Sequence, residues 1–518
     1  MKVPSDELFR LIKSMSRQEK VYFKQYASRK KEHNNYIVLF DSIDSMDSYN
    51  ERELKTKLKQ EAFIKNLKQT KSYVSEAILK SLQEYYSSDS VEALLRSNIQ
   101  QIEILKNKRL FDLAKKIMAK AEKLALENYS YYYLGIILSL KREITVSEEN
   151  LVEINNYQNL NSDELKCIEM LKNNIDYNKL HMQVISVMNA EFWASDKKRA
   201  ELKAILKNSL LKDETKALSL PAKLAYFTIS GAANFLLKDL EKCYLNYKKV
   251  IQLLEENPTY LSGRKEFYMV MMCRLFLTIV IMKKDKELVF FHNKAKRFIE
   301  SLPEKQQSRS ILKKYINMSN NFIAHQIQLF NINKALKLSK ELEKNISAYN
   351  GPQDYLVFHY NLFMIYFYLN DFHKALQEIN KILNTKASGI REDLVNVSKT
   401  INIIVHYELG NKDLLPYLCK SRARYLEKKG QLSQGEKSLL NFFGKTILKA
   451  DGKREETKAF TEFKSAYLPI ADQNIAEHFD MVSWLDGKIG GRGFLSIPGV
   501  ECSASVRLSV FCLRFIVT

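Results

Sequence analysis

Glycine and proline are scarce in this chain, 15 and 8 among 518 residues. Both residues break regular structure, so their scarcity favours an almost entirely helical protein. Catalytic motifs are missing too: there is no GxxxxGK[ST], no HExxH, no GxSxG and no Rossmann fingerprint between a strand and a helix. Six cysteines, Cys167, Cys243, Cys273, Cys419, Cys502 and Cys512, are scattered with no CxxC or other metal spacing. They read as reduced core thiols of a cytoplasmic protein. The longest apolar run, Val270 to Met282, is 13 residues and contains Arg274, too short to span a bilayer. The N-terminus carries Asp6 and Glu7 in place of a continuous apolar stretch, unlike a signal peptide.

The polar residues do not assemble chemistry either. Eight histidines are dispersed, and His359 and His373 fall on opposite helices of one expected hairpin, where each reads as an ordinary surface or core residue. Trp193 and Trp484 read as packing anchors. Glu148-Glu149 and Glu455-Glu456 sit in polar stretches with no apolar surroundings to raise a pKa. No catalytic residue, cofactor or metal ligand is expected, and the chain reads as non-enzymatic.

What is abundant is aromatic and basic: 28 Tyr, 27 Phe and 14 Met, with 81 Lys and Arg against 60 Asp and Glu for a net charge of +21. That balance directs attention to acidic proteins, nucleic acid or anionic surfaces, although a solvated Lys-rich helix surface explains the same excess. A chain of 518 residues exceeds one compact core, so several domains or one extended array are required.

The organising stretch is Tyr355 to Asn384. Leu362, Phe363, Tyr366 and Leu369 recur at helical spacing, Asn370-Asp371 interrupts, and Phe372, Ala375, Ile379 and Ile382 resume on a second stripe. The spacing predicts two helices joined by a tight turn, with a small residue at their crossing. Here the sequence resembles a tetratricopeptide repeat, on Leu362, Phe363, Tyr366, Phe372, Ala375 and Ile379, with Ile382 in place of the usual small residue. Ser97 to Ala125 matches through Leu105, Phe111, Ala114, Met118 and Ala121. Leu224 to Glu256 does so through Phe235, Leu240, Cys243, Tyr247 and Val250. Ile316 to Lys344 follows through Phe322, Ile332, Ala335 and Ser339, and Glu392 to Arg424 is a degenerate unit. Phe267 to Lys296 matches more weakly, and 147 to 165 reads as a polar connector. Ala335, Ala375 and Leu415 lie 40 residues apart each time, longer than the family period of about 34.

The expected fold class is therefore all-α: a TPR-like α-solenoid of helical hairpins over 91–485, most regular at 316–424, behind an N-terminal helical module at 1–90. In that module Ser5 is placed to cap the first helix, Ser16 and Glu19 form a capping box, and further helices are expected around Tyr36 to Ile43, after Asn50, and from Thr70 to Tyr86. Its opening, LFRLIKSMSRQEKVYFKQYAS, is similar to those of bacterial tetratricopeptide-repeat proteins. Residues 486–518 hold five of the glycines and read as a tail outside the fold. That tail is a disordered or apolar appendage, or the translation of an unrelated or shifted frame.

The resemblance implies a partner groove lined by the first helix of each hairpin. By register that groove holds Tyr360, Met364, Phe367 and Tyr368, then Thr400, Ile404, Tyr407 and Glu408. Packing against the neighbouring hairpin would use the same residues. Relatives that grip a C-terminal carboxylate carry Lys and Asn on that helix. The matching positions here are Ile99 and Glu103, Thr228 and Ala232, Asn320 and Ala324, Tyr360 and Met364, or Thr400 and Ile404, so no unit repeats the clamp. A basic patch of Lys55, Lys57, Lys59, Lys65, Lys68 and Lys71 is the local candidate for phosphate contacts, on what is also an ordinary amphipathic segment. Together these features describe a scaffold that binds a protein or peptide, acidic in character. The alternative is a regulator whose basic module touches nucleic acid while the repeats sense a partner.

Overall fold

The structure is a computed structural model that describes residues 5–29, 34–87, 90–147, 154–188, 196–303, 306–349, 351–385, 391–472, 475 and 478–491. Every regular element among them is helical. None of these helices is long and apolar enough to cross a membrane. The chain divides into two compact units, 1–173 and 174–518.

The first unit opens with α1 (Glu7–Ser14), α2 (Arg17–Ser28), α3 (Asn34–Asp44), α4 (Glu51–Lys57) and α5 (Leu67–Tyr85). The Ser16–Glu19 capping box forms as expected. The first cap differs: Asp6 holds the N-cap position, and Ser5 Oγ instead accepts the Glu7 amide at 3.4 Å. One core gathers Leu8, Ile12, Phe23, Leu39, Phe40, Ile43, Leu54, Val74 and Ile78. A second core follows from α6 (Val91–Asn107), α7 (Phe111–Glu127) and α8 (Tyr131–Ser147). There Ala114, Met118, Ala121 and Ala125 of α7 face Leu134, Ile137 and Ile144 of α8.

Next comes α9 (Ile154–Met188), which contains the division between the units. The sequence predicts a connector up to residue 165, yet the helix already begins at Ile154. Leu160 and Cys167, two turns apart, bury one stripe while the intervening polar side chains need no core of their own.

The second unit adds α10 (Asp196–Leu206), α11 (Leu220–Leu236), α12 (Leu240–Glu255), α13 (Pro258–Ser262), α14 (Lys265–Ile281), α15 (Asp285–Ser301), α16 (Arg309–Gln328) and α17 (Ile332–Tyr349). It continues through α18 (Pro352–Tyr368), α19 (Phe372–Leu383), α20 (Glu392–Glu408), α21 (Leu415–Lys429), α22 (Gln434–Asn441), α23 (Lys453–Tyr467) and α24 (Met481–Gly490). Five helical hairpins follow one another: α11 with α12, α14 with α15, α16 with α17, α18 with α19, and α20 with α21. First helices also touch along the series, α14 on α16 and α16 on α18.

All five hairpins turn the same way. Lys238, Lys283, Phe330, Asn370 and Gly410 take left-handed φ of 67°, 55°, 55°, 59° and 76°. Each donates its N–H three residues back, and the next residue donates five back, for example Asn370 to Phe367 at 3.0 Å and Asp371 to Tyr366 at 2.9 Å. These bonds satisfy the carbonyls that a helix end leaves open. The left-handed residues lie 45, 47, 40 and 40 positions apart. Where α11 crosses α12, a Cβ at Gly231 would lie 2.6 Å from the Tyr247 ring, so the close approach needs a glycine.

Cys167, Cys243, Cys273 and Cys419 are free and buried. Cys502, Cys512, Trp193 and Glu148-Glu149 lie outside the described residues, as does the tail from 492. The final helix nevertheless runs to Gly490, five residues beyond the point at which composition predicts an end.

Candidate functional site

Helix α18 is apolar on every side, and a helix of that kind must be covered all round. Tyr360, Met364, Phe367 and Tyr368 are buried on it. On α20, Thr400, Ile404 and Tyr407 are buried, and the Glu408 side chain is only 7 % exposed. Groove register thus selects buried side chains, and Tyr360, Phe367, Tyr407 and Glu408 among them meet the chain's own last segment.

That segment is Ile475 and 478–490. The Tyr360 hydroxyl donates to the His478 carbonyl at 2.8 Å, and the Phe367 ring meets Phe479 edge-on at 5.2 Å between centroids. Asp480 caps α24, accepting the Ser483 amide at 3.0 Å and its hydroxyl at 2.6 Å. One turn on, Trp484 enters an aromatic cluster with Tyr407, Phe443 and Phe460. Its indole N–H donates to Glu408 Oε1 at 2.6 Å, while the other Glu408 oxygen pairs with the Lys488 ammonium. That ammonium also lies 5.4 Å from the centre of the Tyr407 ring. Lys464 pairs with Asp486 on the outer side. Burial pushes the Tyr360 and Tyr407 phenols well above their usual range, so both remain neutral.

Thr400 belongs to a different buried set. Its hydroxyl donates to Glu436 Oε1 at 2.7 Å and accepts from Arg422 Nε at 3.0 Å, and Arg422 Nη2 reaches the same carboxylate oxygen at 2.9 Å. Beside it the backbone of 470–472 passes so close to α22 that a Cβ on Gly435 would stand 2.4 Å from the Ile470 carbonyl oxygen. Trp484, expected as a packing anchor, packs as one, while Phe479 and Lys488 are residues that sequence reasoning missed here. Their signal was present: Asp480, Met481, Trp484, Leu485 and Lys488 have a cap and helical spacing, but a glycine-rich stretch begins just beyond.

The basic patch divides. Lys55 pairs with Glu51 at 2.9 Å and Lys57 donates to Ser45 Oγ at 3.0 Å. Lys71 donates to the Ser5 carbonyl and the Tyr49 hydroxyl, both at 2.7 Å, with Glu51 at 3.5 Å. The hydrogen bond from Lys55, with help from Tyr49 and Lys71, holds the Glu51 carboxyl below the usual range. Lys59, Lys65 and Lys68 are exposed. The two hairpin histidines also part: His359 Nδ1 lies 2.5 Å from Glu378 in the core between α18 and α19, while His373 faces solvent. Glu456 pairs with Lys412 at 2.7 Å.

No protein-family model, curated protein or solved structure matches this chain.

Proposed function

We propose that the protein is a non-enzymatic scaffold built from tetratricopeptide-like hairpins, holding a protein or peptide partner against the first helices of successive units. One observation carries the reading. First-helix faces of α18 and α20 already receive a chain segment, through a hydroxyl to a backbone carbonyl, an aromatic pair and a buried carboxylate joined to Trp484 and Lys488. Aromatic anchors in desolvated seats of this kind dominate binding energy where partners meet. The repeated left-handed turns, 40 to 47 residues apart, support the repeat resemblance.

The test is affinity capture from native lysate with the full chain as bait, with and without nuclease. The expected result is a defined, nuclease-resistant protein. Its recovery falls with Phe367→Ala, and rises when Phe479→Ala and Trp484→Ala loosen the resident segment. Capture that collapses with nuclease, and follows Lys59, Lys65 and Lys68 with a steep salt slope, would overturn the scaffold in favour of nucleic-acid binding.

A further inference from the structure

The hairpin of α6 and α7 closes in the same left-handed turn as those of the second unit, on Arg109 at φ 57°. Arg109 donates its N–H to the Lys106 carbonyl and Leu110 donates to Leu105, both at 2.9 Å. The side chains on this turn differ from those of its counterparts. Asp239 and Asp371 cap α12 and α19, each accepting the amide three residues on. At the matching position Leu110 caps nothing and is 41 % exposed. Ile104 in the last turn of α6 and Leu113 in the first turn of α7 are 48 % and 42 % exposed. The core contact of α7 runs through Ala114, Met118 and Ala121, which leaves Leu113 outside it.

Cations surround the three. Lys108 follows Ile104 by four residues and Lys116 follows Leu113 by three, spacings that make neighbours on a helix surface, and Arg109 sits in the turn itself. All three cations are exposed, and none pairs with an anion among the described residues. From 104 to 116 there are five Lys and Arg against Asp112 alone.

A solvated basic surface accounts for the cations but not for three aliphatic side chains among them, one of them in place of a cap. Seats for protein partners favour Trp, Tyr and Arg, with Leu under-represented, and surfaces that bind nucleic-acid strands stack aromatic rings. Aliphatic side chains ringed by Lys and Arg fit the boundary between headgroups and acyl chains. There the first enter hydrocarbon and the second stay at the phosphates.

We propose that the closed end of the α6–α7 hairpin docks on an anionic lipid surface, with Ile104, Leu110 and Leu113 inserted and Lys108, Arg109 and Lys116 at the headgroups. The site belongs to the first unit and stands whether or not the faces of α18 and α20 hold a partner.

Vesicle co-sedimentation of the full chain tests this, with phosphatidylcholine alone and with phosphatidylcholine and phosphatidylserine in equal parts. The chain should bind the mixed vesicles and leave the neutral ones. Because a net charge of +21 draws the chain to any anionic surface, paired variants locate the contact. Lys108→Gln with Arg109→Asn should lower the affinity about tenfold or more, and Lys59→Gln with Lys65→Gln, the same change of charge elsewhere, far less. Leu110→Asn with Leu113→Gln changes no charge and supplies the missing cap. That pair should also lower the affinity about tenfold, while the melting temperature holds or rises. Equal losses from the two charge pairs, no loss from the leucine pair, or no binding to mixed vesicles would overturn the site. Loss of poly-L-glutamate binding in the turn variants with vesicle binding intact would overturn it in favour of an acidic protein partner.

Discussion

Single buried ionisable groups set much of this protein's response to pH. Asp354 is 2 % exposed, and burial pushes its carboxyl up to about 6 from 3.8. Between those values the folded chain keeps a proton that the unfolded chain has released. Stability from this group is therefore full below about pH 4 and is lost as pH rises through 6, a difference of roughly 3 kcal/mol. His292 has the opposite sign: burial pushes it down to about 4 from 6.5, so its contribution is present above 6.5 and is lost as pH falls through 4. The two oppose each other between pH 4 and 6. Asp354→Asn should raise the melting temperature at pH 8, give no gain near pH 4, and steepen the acid limb by leaving His292 unopposed. Equal gains at both pH values would show that the fold does not raise the Asp354 carboxyl above its unfolded value.

The Thr400–Arg422–Glu436 set gives a second residue-scale expectation. Removing one member of a buried ion pair strands the other, which costs about 3–5 kcal/mol, whereas replacing both with apolar groups is far milder. Denaturant unfolding should place Glu436→Leu and Arg422→Met each well below wild type and the double variant above either. Additive losses would mean that the pair is hydrated.

At the scale of elements, the hairpin turn is the repeating device, and only part of it was legible. Asn370-Asp371 and Gly410-Asn411 are residues that tolerate left-handed φ, so those turns could be read directly. Lys283 and Phe330 adopt the same φ without any such preference, held by the two carbonyl bonds. The hairpin at 267–296, whose repeat pattern matches weakly, makes the same turn as its neighbours. A strained left-handed lysine also leaves room for improvement: Lys283→Gly should stabilise by roughly 0.5–1 kcal/mol in chemical denaturation, because glycine relieves about 1–2 kcal/mol of strain and returns part of it as chain entropy. A loss would mean that the Lys283 side chain contributes more than its φ costs.

The crossing at Gly435 should behave in the reverse sense. Backbone atoms of Ile470 and Asp472 would stand 2.4 and 2.7 Å from a new Cβ, and backbone cannot rotate away as a side chain does. Gly435→Ala should cost about 1–3 kcal/mol despite alanine's better helix propensity. The eight groove residues were legible only through the register of the repeat resemblance, since α18 is apolar on every side and marks no face of its own. What covers them was not, because α24 contributes its contacts across more than 70 residues of sequence, as with Trp484 and Glu408.

For the whole molecule, composition predicted helix correctly through the scarcity of breakers, while the extents of its compact units, 1–173 and 174–518, follow from packing that no local pattern reports. Charge is the global property that acts on both stability and association. With a net charge of +21, many cations have no anion to pair with even though pairs such as Lys294 with Glu255 and Lys296 with Glu341 form at 2.6 and 2.7 Å. Such an excess repels itself in the compact state and attracts acidic partners from a distance. Salt screens both, since the Debye length shrinks from about 10 Å at 0.1 M to about 3 Å at 1 M. Added sodium chloride should therefore raise the melting temperature while weakening binding to poly-L-glutamate, followed by fluorescence anisotropy, about tenfold or more. Short pairs such as Lys294 with Glu255 pull the other way, because screening weakens them too. A melting temperature that falls with salt would mean that these internal pairs outweigh the repulsion. Affinity for polyglutamate that does not change with salt would mean that the acidic chain docks through apolar contacts instead of the field.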